Sequence, residues 1–118
     1  MDGGLEAYVA RINGPGAWQA IPEPSRQVLR DNAWTLVAGQ LDNARWPALG
    51  CEDTKRLQLP VLIVGGADSL PRWHLLMDKF ESCFQSAERV VIPNAGHAMS
   101  LMNPAAFNAA VLAFLAGK

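Results

Sequence analysis

The sequence predicts an α/β fold in which a helical segment precedes a strand–helix–strand–helix unit. Residues 61–64 (VLIV) form a continuous apolar run without polar alternation, which is typical of a strand covered on both faces in a parallel sheet. Residues 89–92 (RVVI) are predicted to form the second strand. Residues 72–84 between them are amphipathic, so a crossover helix would join two parallel strands. The apolar side of this helix consists of Trp73, Leu76, Met77, Phe80 and Phe84.

Helices are predicted on both sides of this unit. Residues 4–12 have helical spacing and stop at the turn sequence NGPG of residues 13–16. A second helix is predicted from a cap near Ser25 to Leu41, after Pro22 and Pro24. Its expected buried side consists of Val28, Leu29, Trp34, Leu36, Val37 and Leu41.

The remaining elements follow from proline positions and apolar spacing. Residues 53–59 are expected to form one helical turn before the first strand, and Pro104 is expected in the first turn of a last helix. We therefore predict a helical segment over residues 1–50 and a β-α-β-α unit over residues 51–118, forming one compact domain overall.

Composition excludes several functions. Half of the 118 residues are apolar and the formal net charge is −1, without a basic run, so neither nucleic acid nor an anionic membrane is an expected partner. No segment has the ~18 apolar residues of a membrane span, and the N-terminus lacks a signal-peptide pattern. Cys51 and Cys83 are expected to be reduced thiols in a cytoplasmic protein. Two histidines and two scattered cysteines predict no metal site and no cofactor.

Asp68 and His97 are the candidate catalytic residues. Each lies just past the carboxyl end of a predicted strand, and neighbouring parallel strands would bring both loops to the same sheet edge. A carboxylate can hold an imidazole in one tautomer and stabilise the imidazolium that forms during general-base catalysis. Taken singly, Asp68 is more simply a turn or helix-cap residue and His97 a turn residue; their order and placement together favour the catalytic pair. His74, within the amphipathic helix, is expected to be structural.

Residues 59–115 resemble the carboxyl-terminal part of the α/β-hydrolase superfamily. The resemblance is carried by PVLIVGGAD at residues 60–68, VIPNAGHA at 91–98 and NPAAFN at 103–108. Residues 8–34 resemble the end of the helical cap of that superfamily. The resemblance implies that Asp68 is the acid and His97 the base, in the superfamily's chain order of acid before base.

The chain departs from that superfamily at the nucleophile. No serine or cysteine has the flanking glycines of a G-x-S-x-G elbow, and the strands and oxyanion loop that precede the cap in the superfamily are not in this sequence. Ser69 and Ser100 are the hydroxyls nearest in sequence to the two loops. The chain therefore looks like a truncated hydrolase.

The resemblance implies a hydrolase, and we expect an ester-like small-molecule substrate. The alternatives are a non-catalytic fragment and one half of a split hydrolase that needs an amino-terminal partner. Because two strands make too small a sheet, we expect a homodimer in which the strands of residues 61–64 pair antiparallel.

Overall fold

A computed structural model describes residues 2–41, 48 and 50–117 of the chain. Within them the protein is mixed α/β and mostly helical, with one two-stranded parallel sheet. The chain divides into two compact units, Met1–Ala48 and Leu49–Lys118. None of the described helices is long and apolar enough to cross a membrane.

The first unit is helical throughout its described part. Its elements are α1 (Asp2–Asn13), α2 (Ala17–Ala20), α3 (Glu23–Asp31) and α4 (Ala33–Leu41). The predicted turn after the first helix is confirmed, since Gly14 and Gly16 have φ angles of 102° and 77°. These angles lie in the left-handed region, which glycine adopts without a steric penalty.

The single helix predicted from Ser25 to Leu41 is wrong, because the chain breaks at Asn32. The backbone N–H and the side-chain Nδ2 of Asn32 both donate to the carbonyl of Val28, at 3.2 and 2.8 Å. An asparagine side chain that hydrogen-bonds a nearby backbone carbonyl offers the chain an alternative to continuing the helix, which is why asparagine is disfavoured inside helices. Ser25 lies inside α3 and does not cap it; Pro22 occupies the cap position.

The apolar side predicted for this segment is also partly wrong. Leu29 and Leu36 pack against the core of the first unit, but Val28, Trp34 and Val37 are exposed, Trp34 to 69%. The break at Asn32 divides the segment into α3 and α4, so one helical stripe no longer describes both helices. The Leu41 side chain lies outside the described residues. The core itself consists of Leu5, Val9 and Trp18.

One arginine joins α1 to α3 through ion pairs. Arg30 hydrogen-bonds both carboxylate oxygens of Asp2, at 2.8 and 3.0 Å, and Glu23 at 2.6 Å. These hydrogen bonds hold the pKa of Asp2 and of Glu23 below their ordinary values and raise the pKa of Arg30. The Arg30 guanidinium also lies 5.7 Å from the ring centre of Trp18, so the charged cluster covers the core tryptophan.

The second unit contains the sheet. Its elements are α5 (Cys51–Thr54), β1 (Val61–Gly66), α6 (Pro71–Cys83), β2 (Ala87–Ile92), α7 (Met99–Met102) and α8 (Pro104–Ala116). The predicted parallel pairing is confirmed, with a register from Val61 opposite Ala87 to Gly66 opposite Ile92. Pro104 lies in the first turn of α8, as predicted. The turn predicted at 53–59 instead begins at Cys51, where the Asp53 carboxylate accepts the Gly50 N–H at 2.9 Å.

The sheet is less covered than its apolar sequence predicts. Residues 61–64 of β1 are only half-buried, so the expectation that both faces are covered is wrong for this chain. Helix α6 packs on both strands and α8 packs on β2. Within the described residues each strand has a neighbour on one edge only. A parallel sheet normally has both faces fully covered by helices, but here residues 61–64 of β1 stay half-buried.

Cys51 and Cys83 form a disulfide, so the expectation of two free thiols is wrong. Their sequence separation of 32 gave no signal of pairing, but the fold brings their Cα atoms to 4.7 Å. The Thr54 hydroxyl lies within hydrogen-bond distance of the carbonyls of both cysteines, at 2.9 and 3.0 Å. The bridge ties the start of α5 to the end of α6. Because the two cysteines are not free thiols, they do not support a cytoplasmic location.

Candidate functional site

Backbone hydrogen bonds join the loops that follow the two strands. The N–H of Ala67 donates to the carbonyl of Ile92, and the N–H of Asp68 donates to the carbonyl of Ala95, both at 2.9 Å. Parallel strands in register end at the same sheet edge, so the loops that carry Asp68 and His97 begin side by side. Ile92 and Ala95 are almost completely buried and anchor this edge in the core.

Gly66 makes this close approach possible. A Cβ atom at Gly66 would lie within 3.0 Å of the carbonyl oxygens of Ala95 and Gly96, a separation that real Cβ atoms do not show. A larger residue would therefore push the two loops apart. The final glycine of β1 is thus a requirement of the site's backbone geometry.

The loop that carries His97 is fixed on its other side by the last two helices. Asn94 adopts a left-handed conformation with φ 53°, which asparagine tolerates better than most residues. The Gly96 N–H points at the Met102 sulfur, 3.2 Å away. Asn103 caps α8 by accepting the Ala106 N–H, and its Nδ2 donates to the carbonyl of Pro93 at 2.9 Å.

The structure brings the two loops together but does not join the candidate side chains. Asp68 and His97 are both exposed, and no hydrogen bond connects the carboxylate to the imidazole in the described chain. Ser69 is half-buried directly after Asp68, and Ser100 is exposed in α7. Neither hydroxyl hydrogen-bonds to either member of the pair within the described residues. An exposed imidazole at this edge can exchange a proton with water or with a bound substrate.

Trp73 is the residue that contacts the imidazole. Its ring stacks on the His97 ring with a centroid separation of 4.2 Å and an interplanar angle of 23°. The sequence pattern assigned Trp73 only to the apolar side of a helix. The signal that could have found it is its place in the first turn of α6, directly after the loop of Asp68 and at the same sheet edge.

The other side chains on α6 differ in burial. Met77 is buried against Gly65, whereas Leu76 and Phe80 are about half exposed. His74 is half-buried on α6. Among the described residues no group of three histidine, cysteine or acidic side chains is arranged to hold a metal ion.

No protein-family model matches the chain, and no curated protein or solved structure is significantly similar to it.

Proposed function

We propose that this chain is the carboxyl-terminal part of an α/β-hydrolase and hydrolyses carboxylic esters with His97 as general base and Asp68 as its acid partner. The observation that supports this best is the hydrogen bond from the Asp68 N–H to the Ala95 carbonyl, at 2.9 Å. It holds the acid loop against the histidine loop at the carboxyl edge of two parallel strands. Acid and base loops in this order at this edge are the arrangement that the superfamily uses.

In the proposed reaction the imidazole of His97 takes the proton from the attacking oxygen as that oxygen adds to the ester carbonyl. The proton then passes to the departing alkoxide, and the carboxylate of Asp68 stabilises the transient imidazolium. The attacking oxygen belongs to water or to the hydroxyl of Ser69 or Ser100. Attack by water releases the acid directly, whereas attack by a serine leaves an acyl-serine that a water, deprotonated by His97, then hydrolyses to release the acid and restore the hydroxyl. Because no hydrogen bond joins the pair in the described chain, the Asp68 side chain turns toward the imidazole when substrate binds. General-base catalysis of this kind contributes roughly 10²–10⁴-fold.

The second candidate is one half of a split hydrolase. The half-buried residues 61–64 of β1 favour a partner that adds strands to the sheet, and in a split hydrolase that partner would also supply the nucleophile. A second copy of the chain could also cover β1 by antiparallel pairing of residues 61–64, although it would not supply a nucleophile elbow.

We propose that the isolated chain forms this homodimer.

Hydrolysis of p-nitrophenyl acetate by the purified chain tests the first candidate. His97→Ala should abolish the hydrolysis that exceeds the rate of free imidazole, and Asp68→Asn should reduce it. His74→Ala is the matched control, because it removes the chain's other histidine from the neighbouring helix and should leave the rate unchanged. Equal rates for the wild type and His97→Ala would show that the proposed base is wrong. Activity that appears only after an amino-terminal hydrolase fragment is added would favour the second candidate.

A further inference from the structure

We infer that Trp73 is a positioning residue that holds the imidazole of His97 in its working orientation. The inference rests on the proposed function, since it concerns how the proposed base is held. In a triad, a carboxylate hydrogen bond sets the orientation of the histidine ring. Within the described residues no such bond joins Asp68 to His97, and the Trp73 indole stacks on the imidazole ring.

The ring geometry suits this role. The centroid separation of 4.2 Å and the angle of 23° place the two rings face to face in van der Waals contact. An imidazole held against an indole face cannot turn freely about its two side-chain torsions, because most other rotamers lose the contact or clash with the larger ring. An exposed histidine without this contact would sample several orientations.

The indole is itself held by the start of α6. Pro71 starts α6, and the backbone N–H of Trp73 donates to the carbonyl of Leu70 at 2.9 Å. This hydrogen bond fixes the backbone at the first turn. The guanidinium of Arg72 lies 5.1 Å from the centre of the indole, a cation–π distance. The loop after β1 thus carries the acid, Asp68, and the first turn of the following helix, α6, carries the ring that orients the base.

Two measurements test the inference, and one of them does not depend on turnover. Carbon relaxation of the His97 ring measures how ordered the imidazole is. The ring should be ordered in the wild type, disordered in Trp73→Leu and ordered again in Trp73→Phe, which keeps an aromatic face. Trp34→Leu is the matched control, because Trp34 is exposed in the first unit and its loss should leave His97 unchanged.

The second measurement separates kcat from KM for p-nitrophenyl acetate. Trp73→Leu should lower kcat by roughly 10–100-fold, the cost of a misplaced catalytic group, with KM within about threefold. Trp73→Phe should restore most of the loss.

The outcomes distinguish this inference from the proposed function. Equal ring order in the wild type and Trp73→Leu would overturn the positioning role, and so would an unchanged kcat. If the wild type shows no hydrolysis that depends on His97, but ring order still requires an aromatic residue at position 73, the proposed function fails while the orientation of His97 by Trp73 stands.

Discussion

A methyl group at Gly66 would meet the backbone carbonyls of Ala95 and Gly96, neither of which can move without opening the strand ends. Gly66→Ala should therefore lower the free energy of unfolding by about 3 kcal/mol, as overpacking against rigid neighbours does. It should also weaken the hydrogen bond between Asp68 and Ala95. Urea denaturation measures the first effect, and hydrogen exchange of the Asp68 amide measures the second.

Two neighbouring glycines provide graded controls. A Cβ at Gly65 would collide with the sulfur of Met77, which lies near the end of a flexible side chain, so Gly65→Ala should cost about 1 kcal/mol. At Gly96 the nearest atom is the Met102 sulfur at 3.7 Å, an ordinary contact, and Gly96→Ala should change stability by less than about 0.5 kcal/mol. If all three variants were equally stable, the close approach of the loops at Gly66 would be contradicted.

At the scale of elements, the disulfide should contribute much of the stability of the second unit. Cys51 and Cys83 are separated by 32 positions, and closing a loop of that size in the unfolded chain stabilises the fold by about 3–4 kcal/mol. Replacing both cysteines by serine should lower the melting temperature accordingly. Dithiothreitol should lower the melting temperature of the wild type but leave the double serine variant unchanged. A wild type whose melting is insensitive to reductant would contradict a stabilising bridge.

The elements that were predicted correctly are those whose sequence signals lie within the element itself. The apolar run of residues 61–64 and the proline at position 104 act on the chain within a few residues, and β1 and α8 begin where those signals indicate. The break at Asn32 was missed because an asparagine amide inside an apolar pattern has no fixed outcome: it ends a helix only if it captures a nearby carbonyl. Patterns of hydrophobic spacing do not include that competition.

At the scale of the whole molecule, the sequence predicted that the loops carrying Asp68 and His97 lie side by side, but it did not predict the contacts of their side chains. Parallel neighbours joined by a helix bring their carboxyl ends to one edge whatever the loop residues are, which located Asp68 and His97 together. The stack of Trp73 on His97 and the bridge between Cys51 and Cys83 depend on packing between residues distant in sequence. Composition and local spacing do not indicate which residues distant in sequence pack together.

Among the described residues β1 pairs with a strand on one edge only, and this feature predicts the state of association. Residues 61–64 are apolar and half-buried, and unpaired strand edges of this kind associate with other strands. Sedimentation equilibrium of the purified chain should give twice the mass of one chain. Ile63→Lys should shift the chain toward monomer, because two-fold antiparallel pairing brings the two position-63 side chains near each other, and like charges there repel. Asn108→Lys adds the same charge on the exposed side of α8 and should leave the dimer intact. A wild type that stays monomeric at every concentration, with the chemical-shift dispersion of a folded protein, would show that half-buried strands are stable in this chain without a partner.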